Sequence, residues 1–151
     1  MTTAQTKEAI RRGRLAARDA LDPAWRERAS VAVAERLLAS TRFTPDMIRV
    51  WRPGADLVKV GFGLLAPPPS AALVDPTDML VPLAAFDRQG GRIGYGKGHY
   101  DLAIATHLQR SLKRTIGLAF AMQEVDSIPL EDHDRRLDLV VTESETIRAR
   151  G

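Results

Sequence analysis

The sequence predicts an α/β protein: one three-layer α/β/α domain over residues 1–151, with a mostly parallel central sheet and an N-terminal helical pair. Two patterns carry this expectation. Residues 79–120 pass through an apolar run of strand length, a glycine-rich loop, a helical stretch and a second apolar strand, the order of a βαβ unit with parallel strands and a right-handed crossover. Ahead of them, residues 6–41 hold a single glycine and a single proline and read as two helices. With 151 residues and 44% hydrophobic content, the chain can bury one core and is too short for two.

The first helix is expected over residues 6 to about 20, rich in Ala, Arg and Leu. On a wheel of 100° per residue, Lys7, Arg11, Arg14 and Arg18 fall within about 60° of one another. Such a face reads either as solvated or as an anion-binding edge. Asp22 then serves as an N-cap before Pro23, the first residue of a second helix whose Ala29, Val33 and Leu37 recur at core spacing.

The middle of the chain is short and irregular: "MIRVW" (47–51) suggests a strand, "RPGADL" (52–57) a turn, and "GFGLLAPPPS" (61–70) a loop stiffened by prolines. "MLVPLAAF" (79–86) reads as one buried strand, residues 99–112 as a helix through Tyr100, Ile104, Leu108 and Leu112, "TIGLAF" (115–120) as a second strand and "LDLVVT" (137–142) as a third.

Composition removes several function classes. The chain has no cysteine and three scattered histidines, which excludes disulfides, thiol nucleophiles and thiolate zinc sites and leaves oxygen ligands for any metal. No apolar run reaches the roughly 18 to 20 residues of a membrane span, and "MTTAQTKEAIRRGR" leads directly into charge, so a soluble cytoplasmic protein with no membrane partner is expected. The net charge of +3 is concentrated in residues 1–42, which carry nine Lys/Arg against five Asp/Glu. That surplus suits a nucleotide or another polyanionic small molecule, while 5% aromatic content disfavours a nucleic-acid partner.

The loop before the third helix is the strongest chemical signal. "GGRIGYGKGHYD" (90–101) holds five of the eleven glycines and lies beyond the carboxyl end of a strand, just before a helix N-terminus, where ligands and anions collect in α/β sheets. Glycines 94, 96 and 98 let backbone approach phosphate oxygens, and Arg92 and Lys97 can neutralise charge. The spacing fits neither GxxxxGK[ST] nor GxGxxG, so composition leaves a phosphate loop and a flexible connection both open. Asp101 reads either as an Mg²⁺ ligand or as a first-turn acid favoured by the helix dipole. "LEDHDRRLD" (130–138) offers Glu131, Asp132, Asp134 and Asp138 as further oxygen ligands, with His133 as a loop histidine and His99 and His107 as helix-surface residues.

"VPLAAFDRQGGRIGYGKGHYD" (81–101) resembles the signature of the 5-formyltetrahydrofolate cyclo-ligase family. "KEAIRRGRLAARDAL" (7–21), "RVWRPGADLVKVGFGLLAP" (49–67) and "IPLEDHDRRLDLVVTE" (128–143) resemble its opening helix, its central Trp-Pro-Gly and Phe-Gly stretch and its C-terminal end. The resemblance implies an ATP- and Mg²⁺-dependent ring closure of 5-formyltetrahydrofolate to 5,10-methenyltetrahydrofolate, with release of ADP and phosphate. It implies that Lys7, Arg11, Arg92, Ile93, Gly94, Tyr95, Gly96, Lys97, Gly98, His99 and Tyr100 bind ATP, that Arg92 and Lys97 act in catalysis, and that Asp101 and Asp134 bind Mg²⁺. A monomer is expected. Ala66 stands where the family commonly has Glu before Pro, and His99 where Tyr is usual. Roughly 40 to 50 family residues have no counterpart near 45–47, more than a connection of ordinary length accounts for. That gap motivates the alternative of a non-catalytic nucleotide- or RNA-binding relative with the same fold.

Overall fold

A computed structural model describes residues 1–41, 58–60, 64–66, 76–96 and 99–149. The chain opens with α1 (Thr3–Asp19) and α2 (Pro23–Thr41). Thr2 caps α1 reciprocally with Gln5, a T-x-x-Q signature that places the start three residues before the expected one. At α2, the Asp22 carboxylate accepts from the Trp25 N–H at 2.8 Å, as the Asp-Pro reading requires.

Strands β1 (Val58–Val60) and β2 (Leu64–Ala66) form an antiparallel pair. Leu64–Ala66 was expected as loop; the three prolines that suggested one follow the strand instead of interrupting it. The expected strand 47–51 and turn 52–57 lie outside the described residues.

The central sheet has the order β3 (Asp78–Pro82), β6 (Arg114–Leu118), β7 (Leu139–Val141), β8 (Thr146–Arg148). The β3–β6 and β6–β7 pairs are parallel and β7–β8 is antiparallel, so the sheet is mostly parallel as expected. Side chains alternate across it. Val81 and Val140 join Ile104 of α3 (His99–Leu108) on one face, while Ile116, Leu139 and Val141 join Val33 and Leu37 of α2 on the other. The three layers follow from that alternation. Each fully buried aliphatic side chain contributes about 1.5–3 kcal/mol, so α2 is fixed by its Ala29, Val33, Leu37 stripe.

The run 79–86 is not one strand. After Pro82 the chain leaves β6, and β4 (Ala85–Phe86) instead pairs antiparallel with β5 (Arg92–Ile93). The carbonyls of Leu83 and Ala84, which a continuing ladder would have used, accept from the buried Gln123 amide at 2.9 and 3.1 Å. Gln123 belongs to a 3₁₀ turn, Ala121–Gln123, that directly follows "TIGLAF". The third helix also stops early, at Leu108, where three successive amides, Arg110 to Leu112, turn onto the His107 carbonyl; Ile104 and Leu112 are buried, but Leu108 is exposed.

The β4–β5 tip is stitched by Asp87, only 3% exposed, whose carboxylate accepts from the amides of Gln89, Gly91 and Ile128. Gly90 has φ of +83°, and a Cβ there would lie 2.4 Å from the Leu137 carbonyl oxygen. Gly90→Ala is therefore expected to lower stability by about 2–4 kcal/mol, from the left-handed conformation together with the backbone overlap. Urea unfolding checks this, and a loss under about 0.5 kcal/mol, the range of ordinary surface substitutions, would contradict the packing described.

Candidate active site

The site is built where β3, the β4–β5 hairpin, the start of α3 and the amino half of α1 meet. A cleft of about 610 Å³ opens there, lined by Lys7, Glu8 and Arg11 of α1, Pro82 at the carboxyl end of β3, Arg92 to Gly96, Tyr100 and Asp101 of α3, and Glu131, His133 and Asp134. It has the size of a small-molecule site and lies where parallel-sheet folds place one. A more apolar recess of about 320 Å³ adjoins it, sharing Pro82 and Tyr95 and lined by Val33, Leu37, Leu118 and Phe120.

Three cations in the cleft are each paired with a carboxylate of the same cleft. The Lys7 ammonium donates to Asp134 and, at 2.9 Å, to Glu131. Arg92, whose side chain is 4% exposed, holds Asp101 at 2.6 Å. Arg11 pairs with Glu8 one turn earlier, and its Nε–H donates to the Gly94 carbonyl at 2.8 Å. Burial alone would push the Lys7 ammonium down, but its hydrogen bonds to Asp134 and Glu131, with their charges, hold it above the usual lysine value. Burial alone would raise the Asp134 carboxyl, and the Lys7 and Glu131 N–H hydrogen bonds hold it below the usual carboxylate range. The buried Arg92 Nε has no hydrogen-bond partner among the described residues.

The loop gives its glycines unequal work. Gly96, at φ +93°, faces Arg11, and a Cβ there would sit 3.4 Å from the guanidinium carbon. Lys97 and Gly98 lie outside the described residues, and His99 opens α3. The other expected residues, Lys7, Arg11, Arg92, Ile93, Gly94, Tyr95, Gly96, Tyr100, Asp101 and Asp134, all line one cleft.

The shared basic face of α1 divides in two. Lys7 and Arg11 face the cleft, whereas Arg14 donates to the Met122 carbonyl at 2.9 Å and Arg18 donates to the Tyr95 hydroxyl at 2.8 Å. Neither of the latter two is simply solvated. Asp138 is structural too, accepting from the Thr115 amide and hydroxyl at 2.7 and 2.9 Å. Glu8 and Asp87 were not singled out in the sequence. Asp87 had a legible signal, since an Asp heading a Gly-Gly turn commonly bonds the amides that follow it. Among the described residues, no group of three or more His, Cys, Asp or Glu side chains stands ready to ligate a metal, and no helix is long and apolar enough to cross a membrane.

A mostly parallel α/β domain with a charged cleft at the carboxyl end of β3 defines a small-molecule site of the α/β type. The profile described as the 5-formyltetrahydrofolate cyclo-ligase family matches residues 44–143. The chain belongs to that family. It is 41% identical over 76 residues to a probable 5-formyltetrahydrofolate cyclo-ligase of Caenorhabditis elegans, covering 48% of this chain and 37% of that protein. It is 38% identical over 96 residues to the 5-formyltetrahydrofolate cyclo-ligase of Mycolicibacterium smegmatis, covering 61% of this chain and 48% of that one. The matches thus span less than half the length of these curated relatives. In fold, the chain resembles the 5,10-methenyltetrahydrofolate synthetase of Aquifex aeolicus, with a TM-score of 0.70 and 24% identity, over 100% of this chain and 94% of the other.

The Lys7–Asp134 pair sets a pH dependence. The depressed Asp134 carboxyl adds stability that is present above the ordinary value of 3.8 and lost as pH falls through its lower folded value. The raised Lys7 adds stability present below the ordinary value of 10.5 and lost as pH rises through its higher folded value. Wild type should therefore exceed Asp134→Asn in stability across the neutral range, with the difference shrinking only at the acid and alkaline ends. Urea titrations at several pH values check this; a difference that fades near neutrality would contradict it.

Proposed function

We propose that this chain catalyses the ATP-dependent cyclisation of 5-formyltetrahydrofolate to 5,10-methenyltetrahydrofolate, releasing ADP and phosphate. The observation that carries the reading is the convergence of Lys7, Arg11, Arg92, Asp101 and Asp134 on one cleft in a member of the cyclo-ligase family. A formyl oxygen is a poor leaving group. Its attack on the terminal phosphorus of ATP expels ADP, N10 then adds to the formyl carbon and gives up its proton to water or to the departing phosphate, and the formyl oxygen leaves with that phosphate. Phosphoryl transfer of this kind needs positioning and charge neutralisation more than a dedicated base.

In this reading Lys7 and Arg11 grip phosphate oxygens from the α1 side. Arg92 and Lys97 neutralise the charge that develops during transfer, and the backbone from Ile93 to Gly98, with His99 and Tyr100, wraps the nucleotide. The buried Arg92 Nε, without a hydrogen-bond partner among the described residues, suits an anion oxygen. The apolar recess beside the cleft suits a flat ring held next to the phosphates.

The residues present also fit Mg²⁺. That ion is usually held by one or two carboxylates, with substrate phosphates and water completing its shell, and Asp101 and Asp134 supply two carboxylates to one cleft, the first of them accepting from the amide of Arg135, next to Asp134, at 3.3 Å. When bound it would neutralise phosphate charge. A zinc-like cage of several protein ligands is not what the described residues offer.

With 5-formyltetrahydrofolate, ATP and Mg²⁺, the purified protein should give the absorbance gain of the methenyl product, and no gain would overturn the proposal. Arg92→Ala and Lys97→Ala should each lower kcat/KM by about 10²–10³-fold, the usual cost of removing a preorganised electrostatic group. The second reading, a non-catalytic nucleotide-binding relative, draws on the short span of the curated relatives that the chain matches. It predicts ATP affinity without turnover, and an RNA-binding relative would show RNA affinity instead.

A further inference from the structure

Among the described residues, every charged group expected to hold the metal–nucleotide (Lys7, Arg11, Arg92, Asp101 and Asp134) is already partnered inside the cleft. Asp134, expected to hold a divalent cation, is occupied by the Lys7 ammonium, which is also expected to hold phosphate. Glu131 closes the same ammonium from a second side at 2.9 Å, and Asp101 is likewise held by Arg92. Lys7, Arg11 and Arg92 face Glu8, Asp101, Glu131 and Asp134 across one space, with His133 at its rim. A free polyphosphate entering this space meets cations whose charge is already neutralised. A free divalent cation meets a carboxylate that already has a counter-ion.

We propose that the cleft is kept self-neutralised by Lys7 standing in the cation position at Asp134 and Glu131, so that a divalent cation and a polyphosphate are admitted together and each only weakly alone. The exchange is local. A divalent cation arriving at Asp134 displaces the Lys7 ammonium, and the released ammonium needs an anion within reach, which the phosphate supplies. A phosphate drawing on Lys7 first leaves Asp134 and Glu131 without a counter-ion, which the metal supplies. Each ligand thereby removes the cost of the other's entry, and the coupling is reciprocal by linkage. Glu131 is on this account a positioning residue, holding Lys7 at the metal position until the exchange. The inference rests on the nucleotide reading above but concerns the protein's own ion pairs.

The distinguishing probe is Mn²⁺ alone, with no nucleotide, followed through the electron paramagnetic resonance of the free ion. The wild-type chain should bind it weakly. Lys7→Met should bind it at least about tenfold more tightly, because a unit positive charge within hydrogen-bond distance of the carboxylates has been removed. The same variant should lose ATP affinity in the presence of Mg²⁺, an opposition of signs that general disruption of the fold would not produce. Arg28→Met, which removes one exposed cation from α2, should leave Mn²⁺ affinity unchanged and controls for net charge. Lys7→Gln serves the same purpose should the Met variant fold poorly. Should both variants need Mn²⁺ to reach the wild-type melting temperature, the metal is replacing the lysine charge and the proposal is upheld. Equal Mn²⁺ affinity in wild type and Lys7 variants would overturn it while leaving the nucleotide reading intact. Tighter Mn²⁺ binding in the variants without any ATP binding to wild type would instead remove the nucleotide reading.

Discussion

The buried carboxylate of Asp87 is the reference point for both walls of the cleft. A charge taken out of water costs several kcal/mol unless hydrogen bonds replace its hydration. Here three amides do so, Gln89 at 3.0 Å, Gly91 at 2.8 Å and Ile128 at 2.9 Å. Two of them close the β4–β5 tip and so fix where Arg92 and the Gly94 carbonyl emerge. The third belongs to the segment that runs on through Glu131 to Asp134. This side chain thus ties the Arg92 wall to the Asp134 wall, and the Leu137 amide on the Gly90 carbonyl and the Arg135 amide on Asp101 tie them again further along. It also explains Gly91, since a Cβ there would fall 2.6 Å from the Asp87 oxygen.

The remaining wall, α1, is attached by a different kind of force. None of its residues is buried; Ile10 and Leu15 pack only partly against Ala84, Ala85, Ile93 and Ile128. Among the described residues, its other long-range side-chain hydrogen bonds are made by cations: Lys7 to Asp134 and Glu131, Arg11 to Gly94, Arg14 to Met122 and Arg18 to Tyr95. The division among them has a consequence for function. Arg14 and Arg18 hold the carboxyl half of the helix without entering the cleft, so the exchange of partners proposed for Lys7 leaves those two ties in place. Four cations on one face thus divide between the cleft and the attachment of the helix.

What could be read in the sequence depended on how locally each feature is determined. The helix α2 follows from periodicity, with Ala29, Val33 and Leu37 at core spacing, and the strands β6 and β7 follow from short continuous apolar runs, because each signal lies within a single segment. The break after Pro82 does not, because it depends on Gln123 taking the Leu83 and Ala84 carbonyls from a distant part of the chain. Strand β8 is three residues with one buried side chain, Ile147, too short to show alternation. Within the site, the Lys7 and Arg11 face was visible on a helical wheel, whereas the bonds of Arg14 and Arg18 were not, since a carbonyl and a phenol far along the chain give no local signal. Asp101 and Asp134 were legible chiefly through the family resemblance, and Glu8 not at all.

The glycine-rich stretch shows why glycine density is a poor measure of a ligand loop. Gly90 and Gly91 answer to the protein itself: one adopts a left-handed turn against the Leu137 carbonyl, the other gives room to the Asp87 carboxylate. Gly94 and Gly96 answer to Arg11, one through its carbonyl and the other by letting the guanidinium come close. The stretch therefore first builds a rigid hairpin and only then presents backbone to the cleft. Under the proposed function that order matters chemically, because amides and cations aimed at a phosphate are most effective when they need no reorganisation, and a hairpin pinned by the buried Asp87 carboxylate is better fixed than a run of glycines alone.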